Sequence, residues 1–197
     1  MNKALIVKTL VIGLAAGVLS GILGIGGGII LVPALVAVAG FTPAKAQGTS
    51  LALLSLPVAA VAAYSYWSHD YVDLTALPWL ALGFLVGGVL GLGGGIFLVP
   101  LLLLLLLAGL SQQSAQGTSL ALLSLPVAAA AAFTYMRKEQ VQLNVLPSMS
   151  IGFIAGGVLG ASVALYLPGQ LLARVFGVAL ILIGLRAILK KASFYRR

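Results

Sequence analysis

The sequence predicts an all-α polytopic membrane protein built on an internal repeat of broken helices, and three observations predict it. Hydrophobic residues fill 61% of the 197 positions and charged residues 7%, where a soluble domain carries roughly a quarter charged residues. Several apolar blocks run past the ~20 residues that cross a hydrocarbon core. The phrase AQGTSLALLSLPVAA at 46–60 returns unchanged at 115–129, and each copy follows a related phrase, GILGIGGGIILVP at 21–33 and GVLGLGGGIFLVP at 88–100. Many transporters are made this way, with substrate sites where repeats meet.

The blocks fall at about 4–40, 46–66, 76–110, 114–136, 147–167 and 170–189. The first and third are too long for one span. Each is interrupted by a glycine run, Gly26 to Gly28 or Gly93 to Gly95, followed by Pro33 or Pro100. Glycine costs a helix about 1 kcal/mol relative to alanine and proline about 3, so a break is expected there.

A partial third copy, LPSMSIGFIAGGVLGA at 146–161, matches LPWLALGFLVGGVLGL at 77–92 but has no glycine run. It reaches LPGQ at 167–170 and then a further apolar segment, which is a hairpin of two complete helices. If the copies share a fold, the glycine runs mark turns in hairpins with short second arms, about 29–42 and 96–111. That gives eight membrane segments; a single kinked span at each run gives six. The units are 4–70, 76–138 and a partial 146–190, within one integral domain, 1–197. Three segments per unit make consecutive units antiparallel, an inverted repeat.

The net charge of +8 lies at the ends and in the loops and not in a patch suited to nucleic acid. Lys3, Lys8, Arg137, Lys138, Arg186, Lys190, Lys191, Arg196 and Arg197 read as positive-inside determinants, placing both termini on the cytoplasmic side of the cell membrane. The tail KKASFYRR suits anionic lipid. A turn at each glycine run brings Lys45 to the same side and puts the acidic loop His69 to Asp73 outside. The N-terminal stretch has the make-up of a signal peptide, but it recurs inside the chain, so a retained span is expected. With no cysteine there is neither a disulfide nor a thiolate metal site.

No carboxylate lies within an apolar block. Asp70, Asp73 and Glu139 sit in connecting loops with His69, the single histidine. A buried proton relay, a metal cage and a serine–histidine protease all need residues this chain does not place in the membrane. No enzyme, metal or cofactor is expected. The polar groups at membrane depth are neutral: Gln47, Thr49, Ser50 and Ser55 in one unit, Gln116, Thr118, Ser119 and Ser124 in the other. With them come the backbone N–H groups of Gly26, Gly27, Gly28, Gly93, Gly94 and Gly95.

Such donors hold an anion without a charged side chain, and hold it loosely enough to release it. A small oxyanion is the expected guest. The structural alternative is that Gly21, Gly24, Gly28 and Gly83, Gly87, Gly91 only let helices approach, and that the hydroxyls bond back one turn. Three glycines in a row before a proline exceed what packing needs, which favours a functional break. Neither run is followed by the lysine and hydroxyl of a nucleotide phosphate loop.

GILGIGGGIILVPAL and GVLGLGGGIFLVPLL, each followed by AQGTSL, resemble the paired signatures of the TauE/SafE sulfite exporter family. The resemblance covers most of the chain. It implies transport of sulfur-containing anions such as sulfite, sulfonates or sulfoacetate, with Gly26 to Gly28, Thr49, Ser50 and their second-copy partners at the site. Members of that family usually carry two further helices between the first GTS segment and the second glycine run. The near-identity of the copies points to recent duplication or an engineered sequence. A homodimer would supply a second subunit to complete a pathway. The competing reading is a non-transporting membrane scaffold, or a designed repeat protein, whose glycines only pack helices.

Overall fold

The computed structural model describes residues 3–82, 109, 111–126, 128–178 and 181. Every regular element among them is helical. In chain order the complete ones are α1 (Lys3–Leu23), α2 (Gly28–Ala37), α3 (Pro43–Leu54), α4 (Ala60–Trp67), α5 (Gln112–Ser124), α6 (Ala129–Arg137) and α7 (Leu146–Tyr166), the last entered through a 3-10 turn at Leu143–Val145, and residues 77–82 and 169–178 are helical as well. The second glycine run, Gly93 to Gly95, and the leucine run at 101–107 lie outside the described residues.

α1 and the stretch Leu143–Tyr166 are long and apolar enough to cross a membrane. α5 and α6, bent by 45° relative to each other, make a third candidate if they count as one span. α1 and α7 form the centre of the fold, and small residues bring them together. On α1 the buried face is Thr9, Ile12, Gly13, Ala16, Gly17, Ser20 and Gly21. Val7, Leu10, Val11, Leu14 and Leu19 point outward, as suits lipid.

A Cβ at Gly13, Gly17 or Gly21 would overlap the backbone of Met149, Phe153 or Gly157, and one at Gly152, Gly156 or Gly160 would overlap the carbonyls of Leu10, Leu14 or Val18. Both series rise together along the chain, so the helices run parallel. Close approach through small residues replaces the hydrophobic drive that lipid removes. Near the N-terminal ends, the Thr9 and Ser148 hydroxyls meet at 2.8 Å.

The chain turns after α1. Gly24 and Gly26 have φ of +68° and +72°, a region that glycine enters without a Cβ penalty. Gly27, at φ −69°, is already in helical geometry. The turn therefore belongs to Gly24 and Gly26, and the end of the glycine run starts the next helix. Leu31 and Leu35 of α2 share a buried cluster with Ile12 and Ala16 of α1 and with Val145, Met149 and Phe153. A straight continuation would carry Leu35 about 28 Å beyond Ala16 at 1.5 Å per residue. α2 instead folds back, with Pro33 inside it.

Blocks 46–66 and 114–136, read from hydropathy as unbroken, are each broken. α3 stops at Leu54 before Pro57 and α5 at Ser124 before Pro126. Proline has no N–H and its ring collides with the preceding turn. The Ser55 and Ser124 hydroxyls donate to the carbonyls of Ala52 and Ala121 at 2.7 and 2.6 Å, closing acceptors that the broken ladder frees. A second buried cluster, Ala59, Ala62, Ala63, Tyr66, Leu120, Leu123, Ala161, Ala164 and Leu172, joins α4, α5, the C-terminal half of α7 and the helical stretch that follows it.

Candidate functional site

The C-terminal end of α1 meets the GTS helix of the other copy where the two clusters join. A helix end leaves its last carbonyls unbonded, and here side chains from α4 and α5 cover two of them. The Tyr66 hydroxyl donates to the Gly21 carbonyl at 2.8 Å, with Gln116 Oε1 at 3.2 Å. The Ser119 hydroxyl lies 2.5 Å from the Gly24 carbonyl oxygen and 2.9 Å from that of Gln116. A Cβ at Gly24 would come within 2.8 Å of the Gln116 Cα, so the turn sits directly on α5.

Tyr66, Gln116 and Ser119 are fully buried, and Gln116 Nε2 has no partner among the described residues. Leu123 packs beside Gly26, Phe153 and Leu31 beside Gly27, and Leu54 beside Gly28. α2 begins at Gly28 with no side-chain cap, so its first N–H groups, at the positive end of its dipole, have no side-chain partner. The Gln116 amide is the free side-chain donor here, and none of these residues carries a charge.

The other expected residues lie apart from this junction. Thr49 Oγ1 accepts from the Gln142 backbone N–H at 3.1 Å, and Thr118 Oγ1 accepts from the Asp73 N–H at 2.9 Å. Thr118 also donates to the Ser114 carbonyl at 2.7 Å, and Ser50 to that of Gln47 at 3.0 Å. Gln47 is exposed, whereas Gln116 is buried. Gly93, Gly94 and Gly95 lie outside the described residues.

The bonds of the two threonines are counterparts. Each GTS helix receives the loop that follows the second arm of the other copy. A Cβ at Gly48 would overlap the Gln140 carbonyl, and one at Gly117 the Tyr71 carbonyl. The loops share little sequence, HDYVD against KEQVQ, but they share geometry. Tyr71 N bonds Tyr66 O and Gln140 N bonds Tyr135 O, both at 3.0 Å. Asp70 and Glu139 take φ of +59° and +53°, the left-handed residue that closes a helix C-terminus.

Asp73 starts the next helical turn: its Oδ1 accepts from the Thr75 hydroxyl at 2.6 Å and from the Thr75 and Ala76 N–H groups at 2.8 and 3.1 Å. The Thr75 hydroxyl first, then the Ala76 and Thr75 backbone donors, hold its carboxyl below the usual carboxylate range.

Sequence reasoning missed Tyr66, whose hydroxyl is the link between α1 and Gln116. Its signal was present in the recurrence of tyrosine at Tyr66 and Tyr135, the same place in the two copies.

The family described as Sulfite exporter TauE/SafE matches residues 2–91 and again 81–196. Two proteins described as probable membrane transporter proteins, from Xylella fastidiosa strains 9a5c and Temecula1, are 36% and 35% identical to the chain over 91 residues. Each alignment covers 46% of this chain and 33% of the relative, so the chain spans about a third of the length of the curated relatives it matches. No solved structure matches the chain. With both halves matched in turn, the chain belongs to the TauE/SafE family of membrane transporters.

Proposed function

We propose that the protein carries small sulfur-containing oxyanions, such as sulfite, sulfonates or sulfoacetate, across the cell membrane, with both termini cytoplasmic and its two units inverted. The observation that carries this reading is the buried, uncharged junction at the turn of α1, where Gln116 Nε2 is a free donor, Tyr66 and Ser119 tie α4 and α5 to the turn, and α2 starts without a side-chain cap. Neutral donors and a helix N-terminus suit an anion that must be released again. The description of the matched family agrees with a sulfur oxyanion. Thr49 and Thr118 enter as the residues that join each GTS helix to the opposite loop, where a moving carrier needs a firm hinge. Gly93, Gly94 and Gly95 are proposed to line the site from the second unit.

Flux of labelled sulfite into proteoliposomes tests the proposal. Wild-type protein gives anion-dependent uptake, and Gln116→Leu reduces it by about tenfold, the worth of one good hydrogen bond. Monodisperse wild-type protein without uptake sinks it. The scaffold reading is favoured by one observation, the glycine seam of α1 and α7, which packing alone accounts for. A scaffold leaves sulfite flux at the level of empty liposomes.

A further inference from the structure

Gln112, Gln116 and Ser119 fall at i, i+4 and i+7 on α5 and so share one face, the face that meets the turn of α1 through Gln116 and Ser119. Gln112 is 5% exposed, and neither its Oε1 nor its Nε2 has a partner among the described residues. Gln116 is 0% exposed with its Nε2 free. Gln112 belongs to no repeated phrase, since the first unit has Pro43 at the matching position. The stripe is thus a property of one unit only. Desolvating an amide without a bond in return is unfavourable, and here two neighbouring amides leave three polar atoms unmet.

Their chemistry is mixed. Two NH2 groups donate, and one carbonyl oxygen, Gln112 Oε1, accepts. A ligand that only accepts would satisfy the NH2 groups and set its own lone pairs against that carbonyl. None of these side chains is charged, and the cost of desolvating an ion grows with the square of its charge, so a dianion fares worst. We infer that this face of α5 selects a monoanion bearing a hydroxyl donor: the anionic oxygens meet the Gln116 and Gln112 NH2 groups and the hydroxyl donates to Gln112 Oε1. This rests on the oxyanion reading above and narrows it to one chemical class, which makes sulfoacetate, a dianion without a hydroxyl, a poor guest.

Hydroxymethanesulfonate and ethanesulfonate test it, being equal in charge and close in size but differing in a hydroxyl for a methyl. Calorimetric titration of the purified chain in nanodiscs at neutral pH gives about tenfold tighter binding of hydroxymethanesulfonate. Gln112→Leu brings the two within about twofold, and Gln112→Met, unbranched and of similar length, serves if the leucine variant does not fold. Equal affinities in the wild type overturn the inference, as they would if a water or a bond between the two glutamines satisfied the amides. A preference that survives the Gln112 variants overturns it too. If neither anion binds, the oxyanion reading itself fails and this inference falls with it.

Discussion

Thr49 and Gln142, 93 residues apart, are joined by a hydrogen bond of 3.1 Å from the Gln142 backbone N–H to the Thr49 hydroxyl, and Thr118 holds Asp73 in the same way at 2.9 Å. Each unit therefore carries the receptor for the other unit's loop. Both threonines are fully buried, so removing either hydroxyl strands a backbone donor. Thr49→Val and Thr118→Val are expected to lower stability by about 1–3 kcal/mol each, read as urea or thermal unfolding in detergent. Thr49→Ser and Thr118→Ser keep the acceptor and stay within about 1 kcal/mol of wild type.

The glycine seam makes a sharper prediction. A methyl at Gly17 or Gly156 collides with carbonyl oxygens on rigid helix backbone, which a side-chain shift does not relieve. Gly17→Ala and Gly156→Ala are expected to destabilise by about 3 kcal/mol or more, at the level of overpacked cores and beyond. Gel filtration would show aggregate or loss of folded protein. Gly177→Ala is the control: nothing lies within 4 Å of the added carbon, and the better helix former leaves stability equal or slightly higher.

Both parts of that contrast were present in the sequence, though unequally. The small-residue stripe and the break are written in the letters from Gly13 to Gly28, because only glycine permits both close approach and positive φ. Sequence could not divide them, since Gly21 and Gly24 look alike; one lies against Gly157 and the other turns the chain. The breaks at Pro57 and Pro126 were legible but hidden in blocks whose hydropathy never falls. The likeness of the two loops was not legible at all. It lives in backbone bonds that HDYVD and KEQVQ make equally well. Gln112 escaped notice because it departs from the repeat.

Glu139 sits at φ +53°, where a side chain costs about 1 kcal/mol that glycine avoids. Glu139→Gly is expected to raise the unfolding free energy by about that amount while leaving the Gln140 to Tyr135 bond in place. A melting temperature below wild type would contradict it.

Asp73 confers a pH dependence. Its carboxyl is held low by Thr75 and Ala76, so its contribution is full above the unfolded value of about 3.9 and fades as pH falls through the lower folded value. Acidification from about pH 5 to pH 3 is expected to lower the melting temperature of wild type more than that of Asp73→Asn, which can still cap the turn but does not titrate. Parallel curves would exclude it.

Orientation is a separate question. Lys45→Cys and His69→Cys, in a chain with no native cysteine, are expected to react with an impermeant thiol reagent from opposite sides of the membrane, Lys45→Cys from the cytoplasmic side and His69→Cys from outside. The reverse, Lys45→Cys labelled from outside and His69→Cys from the cytoplasmic side, refutes the hairpin arrangement.

The parallel seam also has a history within each molecule's synthesis. Thr9 and Ser148, which meet beside it, are 139 residues apart, so at ribosomal rates of ~5–20 residues per second α1 waits on the order of 10 s for its partner. During that interval its row of glycines faces lipid or a neighbouring chain with the same bare row. The period of greatest risk for wrong pairing comes before α7 exists, and slower translation of the last third of the gene would lengthen it.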